Sequence, residues 1–105
     1  MKEYKVKIEP EALKDIQEIT DWYDEAQTKL GQRFQNITIK QVDSLRNNPH
    51  GYEIRYNEIR CMPLKKFPYM VHLYINEEKQ FVEVLAVIST DRNPKIWNEK
   101  TCKHV

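Results

Sequence analysis

A chain of 105 residues, 40% hydrophobic and 31% charged, has material for one modest core and is neither disordered nor membrane-spanning. No apolar run approaches the roughly 20 residues that cross a bilayer. The opening MKEYKVKIEP lacks the continuous apolar segment of a secretory signal, so one domain over residues 1–105, in the cytoplasm, is expected.

The net charge of +1 hides an asymmetry. Residues 9–25 hold seven acids (Glu9, Glu11, Asp15, Glu18, Asp21, Asp24, Glu25) against Lys14, whereas residues 92–105 hold Arg92, Lys95, Lys100 and Lys103 against Glu99. An acidic helix and a basic C-terminal end on one small domain solvate a surface or steer an anionic partner. A balance this close to neutral counts against independent nucleic-acid binding, which needs a basic face.

In chain order, Tyr4, Val6 and Ile8 alternate with Lys5 and Lys7 and predict a half-buried strand. Pro10 suits the first turn of a helix, where its missing N–H has no intrahelical partner. Ala12, Ile16, Ile19, Tyr23, Ala26 and Leu30 then recur on one helical face. Gly31 marks a break or a tight helix junction. A second helix follows with Phe34, Ile37, Gln41 or Val42, and Leu45 inward, and it stops near Asn47-Asn48-Pro49-His50-Gly51. So short a junction predicts an antiparallel hairpin.

Residues 54–64 are β-leaning as one stretch, with Pro63 marking an edge or a bulge. A strand over Tyr69–Ile75, a loop at Asn76–Lys79 and a strongly apolar strand over Phe81–Ile88 complete the chain. The apolar strand carries only Glu83 as a polar residue and is expected at the centre of a sheet, under the helices. The order β-α-α-β-β-β predicts an α+β domain: an N-terminal strand, then an antiparallel helical hairpin packed on a small, mostly antiparallel sheet.

Cys61 and Cys102 lack metal-like spacing to each other or to His50, His72 and His104. They are expected as reduced thiols, with no metal and no cofactor.

Several short segments recur in the order of a known family. They are Pro10-Glu11-Ala12-Leu13, Leu30-Gly31-Gln32-Arg33-Phe34, Asn48-Pro49, Ile59-Arg60, Leu64-Lys65-Lys66-Phe67-Pro68-Tyr69, Val84-Leu85-Ala86-Val87, and Arg92-Asn93-Pro94 with Trp97. Across nearly its whole length the chain resembles the RelE/ParE superfamily of bacterial type II toxins, and its long hairpin and Phe-Pro-Tyr element resemble the ParE side. The resemblance implies a cytoplasmic, plasmid-stabilisation type toxin neutralised by a cognate antitoxin. Its target would be DNA gyrase, bound as a poison, or alternatively the ribosome, where RelE-like members cut mRNA. An inactive member that only binds its antitoxin is the third alternative, and whether the chain is an enzyme and what its oligomeric state is stay open.

Arg60, Lys65 (with Lys66) and Arg92 match positions where the RelE-like nucleases place functional cations, and are the candidate catalytic residues. Arginine and lysine stabilise charge on a phosphate in flight, whereas proton transfer needs an imidazole or a carboxylate. Many relatives carry a histidine where this chain has Ser89, which removes the easiest proton shuttle. The plain structural readings are an Arg60 ion pair with a helix acid such as Asp15, solvated charges at Lys65 and Lys66, and Arg92 bracing its turn through Asp91. His72 is expected to fill a packing position and His50 to face solvent. Trp22 and Trp97 are expected to pack at the core or its rim, and an exposed tryptophan would mark a partner surface instead.

Overall fold

The computed structural model describes residues 3–101. His104, Cys102 and Lys103 therefore lie outside the described residues. The elements are β1 (Lys5–Ile8), α1 (Pro10–Ala26), α2 (Leu30–Ser44), a single 3₁₀ turn at Pro49–Gly51, β2 (Ile54–Tyr56), β3 (Ile59–Pro63), β4 (Tyr69–Asn76), β5 (Phe81–Ser89) and α3 (Lys95–Thr101). The strands form one sheet in the order β1-β5-β4-β3-β2, with β1 parallel to β5 and the other pairs antiparallel.

The α+β architecture and the helical hairpin are as expected, and β5 lies inside the sheet between β1 and β4. Two elements differ from the sequence reading. Residues 54–64 are two strands, joined by Asn57 and Glu58 at φ 41° and 63°. Two consecutive positive φ values make the tight hairpin turn that matches strand twist. The chain also ends its described part in a helix, α3. Asn93 Oδ1 accepts from the Lys95 N–H at 2.9 Å, and Pro94 pre-sets the first turn.

Alternation along the strands builds two cores. Met62, Val71, Leu73, Val82, Val84 and Val87 face the hairpin, against Ala12, Ile16, Phe34, Val42 and Leu45. Cys61, Met70, Ala86 and Ile88 face the other way, against Trp97 of α3. On the second helix Thr38 takes the fully buried position between Phe34 and Val42, whereas Ile37 is only half-buried. Its hydroxyl is satisfied by donating to the Phe34 carbonyl at 2.8 Å.

The hairpin closes at Gly31, whose N–H donates to Asp24 Oδ1 at 2.8 Å. A Cβ there would meet the Thr20 carbonyl oxygen and come within 2.7 Å of the Asp24 carboxylate, so only glycine allows this approach. The Phe67-Pro68-Tyr69 element has a similar task. Phe67 and Tyr69 pack against Tyr23 of α1 and Phe34 of α2 at ring separations of 5.1–6.2 Å, which ties the β3–β4 loop to both helices. Pro63 sits at the end of β3, beyond the residues that β2 pairs, where no N–H is needed.

Candidate functional site

The candidate cations separate in the fold. Arg60 lies near the β2–β3 turn end of β3, paired with Leu73, whereas Lys65, Lys66 and Arg92 emerge at the opposite end of the sheet. At that end Thr90 N–H donates to the Pro68 carbonyl at 2.9 Å, holding the β3–β4 loop beside the turn that follows β5.

Arg60 does not pair with Asp15. One guanidinium nitrogen donates to the carbonyls of Tyr52 (2.7 Å) and His50 (3.3 Å). It therefore ties down the chain that returns from α2, satisfying carbonyls that no strand reaches. His50 is exposed, as expected, and contacts Glu77 Oε1 at 2.7 Å.

Asp15 is instead buried at the edge of β5. The strand β1 ends where Glu9 N–H reaches the Val84 carbonyl, leaving the rest of that edge uncovered. There β5 carries an extra residue, Leu85, between Val84 (opposite Leu73) and Ala86 (opposite His72). Asp15 Oδ2 accepts from the Val87 N–H at 2.9 Å, and Oδ1 accepts from Lys100 Nζ of α3. Burial pushes the Asp15 carboxyl above its usual range, against the opposing pull of Lys100 and the Val87 N–H.

Lys65 is held through its backbone, whose N–H donates to Gln41 Oε1 at 2.7 Å. Its side chain and that of Lys66 are exposed, and no acid among the described residues forms an ion pair with either. Arg92 is exposed as well. Its backbone N–H donates to the Ser89 carbonyl, and Asp91 N–H to the Ser89 hydroxyl, both at 3.2 Å. The turn is thus braced by Ser89 and the main chain, and no ion pair between Arg92 and Asp91 is found among the described residues.

Arg92 borders a cleft of about 280 Å³ with Asp15, Glu18, Ile19 and Trp22 of α1, Tyr69 of β4, Val87, Ile88 and Ser89 of β5, and Lys100. Trp22 is 61% exposed, contrary to the expected packing role, whereas Trp97 is buried as expected. Among the described residues the cleft holds two cations, the carboxylates of Asp15 and Glu18, two aromatic rings and a hydroxyl, with no imidazole. It can bind an anionic or apolar group, but none of its described side chains has an ordinary pKa near neutrality.

The sequence reading missed a second polar cluster, beneath α3. His72 is fully buried, hydrogen-bonded through Nδ1 to the Tyr56 hydroxyl at 2.7 Å, and 3.6 Å from Cys61 Sγ. Its ring stands edge-on to Trp97, and Arg55 lies over the indole at 5.6 Å. Burial, helped by the positive charges of Arg55 and Lys100, drives the His72 pKa down to about 4. Burial also pushes the Cys61 thiol up to about 11 and the Tyr56 phenol up to about 12. All three are neutral at pH 7, so His72 packs, as expected, and the thiol is not activated. No group of three or more His, Cys, Asp or Glu side chains among the described residues is placed to hold a metal ion. Among the same residues, no helix is long and apolar enough to cross a membrane.

This cluster predicts acid sensitivity. Between about pH 4 and 6.5 the unfolded chain binds a proton at His72 that the folded chain does not. Stability therefore falls as the pH drops through that window, by about 3 kcal/mol at His72. Urea denaturation at pH 7 and pH 4.5 should show this loss in the wild type and a clearly smaller one in His72→Asn. Equal losses in both proteins would assign the acid sensitivity to other groups.

The sequence profile of the family described as "ParE toxin of type II toxin-antitoxin system, parDE" matches residues 6–94, a span that includes Arg60, Lys65 and Arg92. Among solved structures, the chain is similar to one from the chromosomal ParDE toxin–antitoxin system of P. aeruginosa, at 16% identity and a TM-score of 0.74, over 82% of this chain and 95% of that one. It is also similar to the E. coli toxin RelE, solved free as a double arginine-to-alanine mutant, at 17% identity and a TM-score of 0.71, over 98% of each chain. A chain of the intact E. coli RelBE toxin–antitoxin complex matches at 20% identity and a TM-score of 0.65, over 85% of this chain and 99% of that one. No curated protein sequence matches significantly. Identities this low carry the fold and not the chemistry of the site.

Proposed function

Because the chain belongs to the ParE toxin family of type II toxin–antitoxin systems, we propose that it arrests growth by binding DNA gyrase, and that a cognate antitoxin neutralises it. The observation that carries the gyrase reading is the make-up of the Arg92 cleft. Among the described residues its lining offers a cation without an ion pair, two aromatic rings and a serine, with no imidazole. One of its two carboxylates, Asp15, is already taken up by Lys100 and the Val87 N–H. His72 is sealed under Trp97 in its neutral form, and His50 lies at the other end of the sheet. Cleavage of RNA needs one group to take the 2′-hydroxyl proton and another to protonate the leaving oxygen. Among the described residues only the Glu18 carboxylate is left in the cleft for such a role, one group for two proton transfers, whereas a binding poison needs neither. The solved relatives from toxin–antitoxin systems support the antitoxin as partner.

The test is a supercoiling assay with purified gyrase and relaxed plasmid. Inhibition by the purified chain, relieved by the antitoxin, is the expected result. Undisturbed supercoiling together with mRNA cuts on translating ribosomes would overturn the gyrase reading in favour of the nuclease. Expression that leaves growth untouched while the antitoxin still binds would reduce the chain to an antitoxin-binding member.

A further inference from the structure

We infer that the cleft beside Arg92 is where the target protein docks, with Trp22 as the anchor, and that it accepts a segment presenting an apolar side chain next to one carboxylate. The inference rests on the gyrase reading for the identity of the target, and on the geometry for everything else. The fold makes little use of Trp22. Its neighbours Ile19 and Tyr23 are half-buried against the core, whereas the indole is 61% exposed and has an edge contact with Tyr23 at 5.1 Å. A large ring left in water beside a cleft is the kind of group that gains most from being covered by a partner.

The lining around it is prepared. Tyr69 is fixed by its ring contacts with Tyr23 and Phe34, so the apolar part of the cleft does not have to be ordered on binding. The charges select the partner. Lys100 is taken up by Asp15, which leaves Arg92 as the cation of the cleft without an ion pair among the described residues. A guanidinium binds a carboxylate through two parallel hydrogen bonds. Glu18 lines the same cleft and repels a second carboxylate, so a run of acids fits poorly. Within the cleft's described lining one unpaired cation is also too little, by itself, to hold a nucleic-acid backbone, whose affinity grows with each phosphate neutralised. A mixed apolar and acidic protein segment satisfies all of these groups.

The experiment compares the purified full chain with Trp22→Ala and Trp22→Phe in gyrase supercoiling, growth arrest and antitoxin binding. Trp22→Ala is expected to raise the half-inhibitory concentration at least about tenfold, the scale of a single hot-spot residue. Melting should stay as in the wild type because the side chain is exposed, antitoxin binding should stay because the anchor is assigned to the target, and Trp22→Phe should lose less. Gyrase inhibition within about twofold of the wild type for Trp22→Ala would overturn the anchor and leave the gyrase reading intact. So would a loss confined to antitoxin binding. If the wild-type chain does not touch gyrase, the gyrase reading fails by itself and growth arrest becomes the readout. Arrest weakened by Trp22→Ala then supports the cleft for another protein target, whereas arrest unaffected by it, or mRNA cleavage with the same Trp22 dependence, overturns the inference.

Discussion

Arg92→Ala is expected to leave the fold intact and to weaken growth arrest at least about thirtyfold, the lower end of what truncating one side of a buried charge pair costs at an interface. The side chain is exposed, and the turn that carries it is held by the main chain and the Ser89 hydroxyl, so nothing in the fold depends on the guanidinium. Its value lies in what a partner does with it. Arg60→Ala is the internal contrast. There the guanidinium supports two loop carbonyls, and its loss should cost about 1.5 kcal/mol of stability. Any effect on toxicity should follow the melting temperature alone. Toxicity and thermal unfolding measured for both variants separate the two roles. If Arg92→Ala arrests growth like the wild type, Arg92 is a solvated turn residue and the cleft has lost its cation.

The two arginines also show what a sequence can and cannot place. Both stood beside family motifs, and the strand pattern put Arg92 correctly at the end of the apolar strand. What Arg60 binds had no signature, because its partners are backbone carbonyls of a loop, and any residue supplies a carbonyl. Asp15 was equally opaque. It is one acid among seven in residues 9–25, and its lysine partner is 85 positions away. Only the end of β1 and the extra residue in β5 single it out.

The missed elements had different causes. Asn57-Glu58 makes a hairpin turn without glycine, so the usual marker of positive φ was absent. The start of α3 did carry a readable signal, Asn93 followed by Pro94, a capping residue before a proline at the first helical position. With only seven residues in the helix, no periodicity followed to support that signal. Trp22 sits between Ile19 and Tyr23 in the helix, close enough to the inner face that spacing alone could not tell rim from surface. Its exposure is a tertiary fact, and it is what turns a packing residue into a contact.

Asp15→Ala should lower stability by about 3 kcal/mol, because it leaves both the Val87 N–H and the Lys100 ammonium without their acceptor. For a domain of this size that is a fall in Tm of about 15 °C. The low end of the range for broken buried pairs applies, since the Lys100 side chain is 25% exposed and Glu11 lies 3.8 Å away as a substitute. Asp15→Asn keeps an acceptor for Val87 and should lose about half as much. Lys100→Met gives the complementary result. It leaves the carboxylate with the Val87 N–H but no cation, so its pKa, already raised by burial, rises further. A folded-state pKa above the unfolded value means that the folded chain binds the extra proton. Stability in Lys100→Met should therefore fall as the pH rises through the carboxyl's folded pKa, a slope opposite in sign to that of His72. Urea titrations of the three variants from acid to neutral pH check this. A loss under about 1 kcal/mol for Asp15→Ala would mean that water closes the β5 edge as well as the carboxylate does. A loss near the expected value would tie α1, α3 and the end of β5, and with them the seating of Ser89 and Arg92, to one buried carboxylate.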